Sequence, residues 1–560
     1  MLQSVDIVVF HVYFFIVASY GLWIYYRKKK ESETSTDFFL AKGSLTWWAI
    51  GASLIASNIS AEQFIGMSGS GFAIGLAIAS YEWMAAITLI IVGKYFLPIF
   101  IEKGLYTIPE FIEVRYGTNL KTILAIFWIA LFIFVNLTSV LYLGATAIDT
   151  IVGTGDGSIF LYSIIGLALF AAAYSLYGGL AAVAWTDVVQ VVLLIAGGLI
   201  TTYIGLTHVS ETGNVFDGLV TVYEQVPEKF SMILEKGEII TPEGKDAWWD
   251  LPGLAVLLGG MWVANLYYWG FNQYIIQRTL AAKSLRESQK GIILAGFLKL
   301  LIPLIVVVPG IIAYVMNVGP GGAFSKEFTD PSFIAEGGRI INDNAFPWLI
   351  KEFVPMGLKG LVLAALAAAI VSSIASMLNS TATIFTMDIY KPYIQKGASE
   401  NKLVKVGRIS ASLALVIAVI LAPQLRNLGQ VFQYIQEYTG VVSPGILAVF
   451  MLGLFWKKTT NNAAIWGVLA SIPIALYFKI GPNGWADGSF FLELPFMHQM
   501  FLTWILTMLI MVVISYIETR GADHPKAIII TKKLFNTGPA FNIGAFIILL
   551  IVTMLYAVFW

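Results

Sequence analysis

The sequence predicts an all-α, polytopic membrane protein of about fourteen transmembrane helices. Three observations carry this. Of 560 residues, 58% are hydrophobic and 12% charged, against about 25% charged in a soluble domain, and the mean hydropathy is +0.79. Apolar runs of about 20 residues, the length that crosses the hydrocarbon, recur along the whole chain. Lysine and arginine gather in alternate connections between those runs. Other classes drop out. A formal net charge of zero argues against a nucleic-acid partner. Without cysteine there is no disulfide framework, thiolate nucleophile or Cys-ligated metal. His11, His208, His498 and His524 are scattered without the i,i+4 pairing of a helical metal site. No nucleophile, base and orienting group can be read together, so no enzyme is expected.

In chain order, the first apolar run, about 5–26, is too long for a signal-peptide core. Its basic cluster, Arg27 to Lys30, follows the run, so it reads as a retained span. Further spans are expected near 46–72, 74–101, 120–152, 158–178, 181–206 and 251–276. The remainder fall near 286–316, 350–388, 403–422, 427–456, 461–479, 498–519 and 540–559. With the first connection inside, the short inner loops hold most of the cations and the short outer ones little beyond Arg426 and Lys479. Both termini then lie outside, in a multi-pass protein of a plasma membrane.

The span at 46–72 is unusual. Ser53, Ser57, Asn58, Ser60, Glu62 and Gln63 crowd its middle, and Gly66, Gly69 and Gly71 follow. In hydrocarbon such polar groups survive only against protein or a wet cavity, and broken helices at the midplane build solute and ion sites. Around residue 260 the run LLGGMWVANLYYWGFNQY echoes it, with Gly259, Gly260, Gly270 and a central Asn265. Five spans begin with each interrupted helix. Five is odd, so the second set is inverted relative to the first, which predicts a five-plus-five inverted repeat with the site between its halves. The expected organisation is an extra span and inner loop over 1–45, a first repeat over 46–206, an outer loop over 207–250, a second repeat over 251–456 and three further spans over 457–560.

Charges inside spans mark cavities. Glu82 and Lys299 each lie deep in an apolar run, and buried ionisable groups face a polar cavity and find partners there; a structural ion pair is the plainer alternative. Asp187 and Glu437 are ambiguous, since both fall near span ends. Ala369, Ser372 and Ser373 share one helix face. Two readings fit that face: a small-residue packing surface, or a sodium site whose hydroxyls join carbonyls released at the 56–59 break. In VFQYIQEYTGVVSPG, Gln433, Gln436 and Tyr438 precede a Gly440/Pro444 kink. Amides and carboxylates suit a polyhydroxylated solute, and interhelical hydrogen bonding is the alternative.

The segments ASLIASNISAEQFIGMSGSG, ANLYYWGFNQYIIQRTLAAKS, LAAAIVSSIASMLNSTATIFTMDIYK and FQYIQEYTGVVSPGILAVF resemble the sodium:solute symporter family and its sugar cotransporters, over essentially the whole chain. YGGLAAVAWTDVVQ and GLFWKKTT fit the same family. The resemblance implies a LeuT-like broken-helix fold in a bacterial inner membrane, and sodium-coupled import of a monosaccharide such as galactose or glucose by alternating access. It implies a sugar pocket of Gln63, Glu82, Asn265, Lys299 and Gln436 with Asn58 close by, Tyr268 as inner gate, and Met67, Tyr81 and Phe432 on the outer side. It implies a sodium site of Ala56, Ile59 and Ala369 carbonyls with Ser372 and Ser373 hydroxyls.

Two positions depart. Ala85 stands where a serine is expected near the sugar. For a second sodium, Asp187 and Ser376 match but Ala375 replaces a hydroxyl, so one sodium per sugar is expected. Sodium, sugar and the lipid bilayer are the implied partners, with a homodimer left open. The rival readings are another solute of the same family (inositol, sialic acid or an amino acid) and a channel; a channel would need a symmetric ring of like ligands.

Overall fold

The computed structural model describes residues 3–28, 43, 45–105, 107–153, 157–318, 333–334, 340–427, 430–484 and 491–560, the side chains at 14, 17, 18, 20–28, 174–187, 427, 483 and 484 excepted. Regular structure among them is helical apart from isolated bridges such as Leu45 with Ala282. The first helix, α1, is Ser4–Lys28. The interrupted span follows as α2 (Trp47–Asn58), a π-helical turn at Glu62–Met67 and α3 (Ser68–Ala73). Next come α4 (Ser80–Ile91), a helix from Thr118 to Val152 with a π segment at Leu131–Leu137, and α5 (Phe160–Val209). After a long connection, α6 (Gly260–Phe271) and α7 (Gln273–Leu280) lead into α8 (Leu285–Val318). Then come α9 (Leu358–Ile384), Glu400–Leu421 and α10 (Val431–Phe455). The chain closes with Asn461–Gly484, Phe496–Thr519 and Pro539–Val558.

Among the described residues, ten helices are long and apolar enough to cross a membrane, or eleven if a bent pair counts as one. The expected fourteen is therefore not reached by length and composition. Interruptions account for part of the difference. The first broken span divides into pieces too short to qualify, and the helices flanking Gly259 meet at 77°. The two spans expected at 158–178 and 181–206 form one 50-residue helix. Gly178 and Gly179, at the boundary between the two expected spans, weaken a helix by about 1 kcal/mol each without stopping it.

The second interruption also differs from its expected form. Asn265 was matched to Asn58, yet it sits inside α6, its side-chain amide donating to Met261 O at 3.2 Å. The non-helical steps fall on either side, at Gly259 (φ −126°, ψ −122°) and the extended Asn272 (φ −87°, ψ 119°). One asparagine in an apolar run does not locate a break, because a helical asparagine can return its amide to the carbonyl four residues back.

α9 is the centre of the molecule. Its most apolar window is 94% buried, against 28% for Phe496–Thr519 and for Pro539–Val558. Its alanines and serines let α2, α5 and α1 approach closely. At its start the Asp6 carboxylate of α1 accepts from Gly357 and Gly360 N–H at 2.7 and 3.0 Å, which satisfies otherwise unpaired donors. α3 lies against α8 backbone to backbone: a Cβ on Gly310 would fall 2.1 Å from Ser68 O, and one on Gly71 2.6 Å from Val307 O. The second half of the first broken helix is thereby seated on the helix that carries Lys299.

Candidate functional site

The helix α2 stops because its hydrogen-bond ladder is diverted. Ile59 N–H still reaches Ile55 O at 2.7 Å, but Ile59 itself is extended (φ −75°, ψ 98°). Ser60 N–H, which would close onto Ala56 O in a continuous helix, instead donates to Gln63 Oε1 at 3.1 Å. Gln63 N–H turns back to Ser60 O at 3.2 Å rather than reaching Ile59 O, and Glu62 N–H donates to Ser60 Oγ at 3.1 Å. The carbonyls of Ala56 and Ile59 are thus released from the helical pattern.

Beside them stands α9. Ser373 Oγ donates to Ser57 O at 3.3 Å, and Ser372 and Ala369 are fully buried on the same helix. The five residues of the expected sodium set therefore come from two elements in contact, α2 and α9. Ser376, one turn on, is differently engaged: its hydroxyl accepts from the Arg278 guanidinium and donates to Ser372 O at 2.7 Å. Arg278, on α7, also donates to Ser53 Oγ at 2.9 Å and to Tyr274 O. A fixed cation thus occupies the hydroxyl that a second sodium would need. The side chain of Asp187 lies outside the described residues.

The other expected residues line one cavity, with about 560 Å³ of empty space that is partly open to solvent. Asn58, Gln63, Glu82, Asn265, Lys299 and Gln436 are all on its wall, as are Met67, Tyr81, Tyr268 and Phe432. Lys299 is fully buried; its ammonium donates to the Glu82 carboxylate and to Asn58 Oδ1, and lies 4.9 Å from the Trp269 ring centroid. Asn58 passes the chain on, its Nδ2 donating to Tyr268 Oη at 3.0 Å, and Tyr268 and Tyr274 hydroxyls are 2.7 Å apart. On another side, Tyr81 and Phe432 pack edge to face with centroids 5.2 Å apart. Ala85 is on the wall too, so the missing serine hydroxyl would have faced this space.

The cavity also contains residues that sequence reasoning passed over. Glu62, to which the resemblance gives no role, lines it with Oε1 buried and unpartnered. Ala264, Trp269, Thr439, Gly440, Ser443 and Met500 complete the wall. Tyr274 and Arg278 stand behind it; the polar cluster NQYIIQR around them was the available signal. Glu437, ambiguous in the sequence, pairs with Lys479 at 2.6 Å outside this cavity. Gln433 is buried with both amide atoms unpartnered and is not on the wall.

This arrangement offers hydrogen-bond donors, acceptors and aromatic faces around one cavity, next to a set of neutral oxygens. Comparison with known proteins agrees with it. The sodium:solute symporter family model matches residues 38–471. A sodium/glucose cotransporter of Vibrio parahaemolyticus is 56% identical over 100% of this chain and 99% of its own length. The human sodium/myo-inositol cotransporter 2 is 34% identical, over 85% of this chain and 70% of its own. The solved structure of a Na+-coupled sialic acid symporter in a substrate-bound, outward-open state has a TM-score of 0.74 at 21% identity, covering 92% of this chain and 98% of that one, and so shares the fold. The chain belongs to the sodium:solute symporter family.

Proposed function

We propose that the protein is a sodium-coupled symporter that imports a monosaccharide of the galactose or glucose type by alternating access. The observation that carries the reading is the break in the first interrupted helix. Ser57 O, between the residues whose carbonyls are released, accepts from Ser373 Oγ on α9, while Asn58 and Gln63, in the same few residues, line the solute cavity. One segment therefore serves two ligands. Sodium bound by Ala56, Ile59, Ala369, Ser372 and Ser373 orders that segment, and the sugar then meets Gln63, Glu82, Asn265, Lys299 and Gln436. Coupling is the difference in affinity of each ligand for the outward and inward states. Met67, Tyr81 and Phe432 close the outer side, and Tyr268 releases sugar inward once sodium has left.

The membrane potential adds about 2.3 kcal/mol per charge per 100 mV to the driving gradient. Support for a sugar comes from the near-complete 56% match to a sodium/glucose cotransporter. The similarity to a myo-inositol cotransporter keeps a cyclic polyol as the second solute to test. The reading includes fourteen spans with both termini outside, in a bacterial inner membrane. It also includes inverted repeats over 46–206 and 251–456, flanked by 1–45, the loop 207–250 and 457–560. One sodium is carried per sugar, consistent with Arg278 at Ser376.

The test is uptake of labelled galactose, glucose and myo-inositol into proteoliposomes with and without a sodium gradient. Saturable uptake of a hexose only with inward sodium is expected; sodium-independent or absent uptake of every monosaccharide would overturn the reading. Ser373→Ala should raise the sodium half-saturation about tenfold, whereas Gln436→Ala should mainly raise that for sugar.

A further inference from the structure

We propose that Lys229, on the outer connection between α5 and α6, is a positioning residue for transport: its ammonium caps the carbonyl end of α3 and sets where the outer half of the first broken helix stands over the solute cavity. Lys229 belongs to a single 3-10 turn, Pro227–Phe230, and is 2% exposed. Its Nζ donates to Phe72 O at 3.0 Å and Ala73 O at 2.9 Å. These are the last two residues of α3, whose terminal carbonyls have no intrahelical partner and carry the negative end of the helix dipole. The same ammonium lies 3.9 Å from the ring centroid of Tyr314, on the helix that bears Lys299.

The backbones are in contact as well. Gly75, just past α3, has φ +105°, and a Cβ there would fall 2.3 Å from Lys229 O. Among the described residues no carboxylate lies within 4.0 Å of Lys229 Nζ. A lysine committed to carbonyls and a ring instead of a carboxylate is tied to the position of α3 itself. Because α3 continues directly from the Glu62–Met67 turn, whatever fixes its end also fixes Met67 and Gln63 on the cavity wall.

Burial pushes the Lys229 ammonium down to about 7, with Glu228 on its own turn and Glu243 on the same connection opposing that. Of the elements packed on it, the helix Val215–Gln225 brings Asp217, held by Ser210 and Thr212, Tyr223, whose ring packs on Phe230, and Glu224. α8 brings Tyr314, while α3 and Leu76–Ala79 bring no titratable group. Below about pH 7 the cap is charged; above it the amine is neutral and the dipole interaction is lost.

The inference rests on the sugar-symport reading, and external pH tests it with the intact transporter. In proteoliposomes at fixed sodium and fixed internal pH, the wild-type galactose half-saturation should climb about threefold or more between external pH 6 and 8.5, with maximal rate changing less. Lys229→Met should show the high value at every pH. Lys229→Arg, which stays charged, should show the low value at every pH. A wild-type half-saturation flat across that range, Lys229→Met with wild-type values at pH 6, or Lys229→Arg following the wild-type climb would each overturn the inference. If one variant fails to insert, the wild type and the other variant still decide. Wild-type protein that shows no sodium-driven sugar uptake would instead defeat the underlying reading.

Discussion

At the scale of single residues, the Lys299–Glu82 pair is the feature with the largest energy at stake. Both groups are buried inside the bundle, and Asn58 and Trp269 are their nearest company. Removing one partner of such a pair leaves an uncompensated charge and costs about 3–5 kcal/mol, whereas replacing both by neutral groups can be nearly neutral. Glu82→Gln and Lys299→Met should therefore each lower the melting temperature of the detergent-solubilised protein. The double variant should recover most of the loss, with a coupling energy above about 1 kcal/mol by thermal denaturation. All three should lose high-affinity sugar binding, because the cavity loses its principal acceptor, its principal donor, or both. A double variant that melts as the sum of the singles would mean that the two groups do not act as a pair.

Among the elements, the first broken helix assigns Gln63 a role that reaches past the solute. Its side-chain carbonyl takes the Ser60 N–H that would otherwise bond Ala56 O. Gln63→Leu frees that donor, and the helix can then close onto Ala56 and withdraw one of the proposed sodium ligands. The expected result is a rise of about fivefold or more in both sodium and sugar half-saturation, measured by uptake, where Gln436→Ala moves mainly the sugar value. Unchanged sodium affinity in Gln63→Leu would show that the side chain does not hold the break open. This cap was not legible in the sequence. Gly66, Gly69, Gly71 and the polar run announced an interruption, but which side chain would intercept which N–H depends on a rotamer. The second interruption was placed correctly at Gly259 and wrongly at Asn265, since glycine content signals a break while a single amide can be absorbed by the helix. Lys229 was unreadable for another reason: its partners, Phe72 and Ala73, lie more than 150 residues away in the chain. Glu82 and Lys299 could be found because a charge in an apolar run needs no partner to be conspicuous.

For the whole molecule, α2 and its break touch α9 on one side and the cavity on the other, so in the proposed function the ion and the solute share one segment. If binding of either ligand fixes the same 56–63 segment, the ordering cost is met once and the second ligand binds to a segment already in place. Linkage then requires reciprocity: the factor by which sodium tightens sugar binding equals the factor by which sugar tightens sodium binding. Coupling energies of this kind are about 1–3 kcal/mol, a factor of 5 to 150. Equilibrium binding of labelled galactose over a sodium series, and of sodium over a galactose series, should return the same factor within that range. Ser373→Ala, which loses the hydroxyl that joins α9 to Ser57 O, should bring both factors towards one together. A variant in which sodium affinity falls while the coupling factor stays at the wild-type value would place the coupling outside the 56–63 segment.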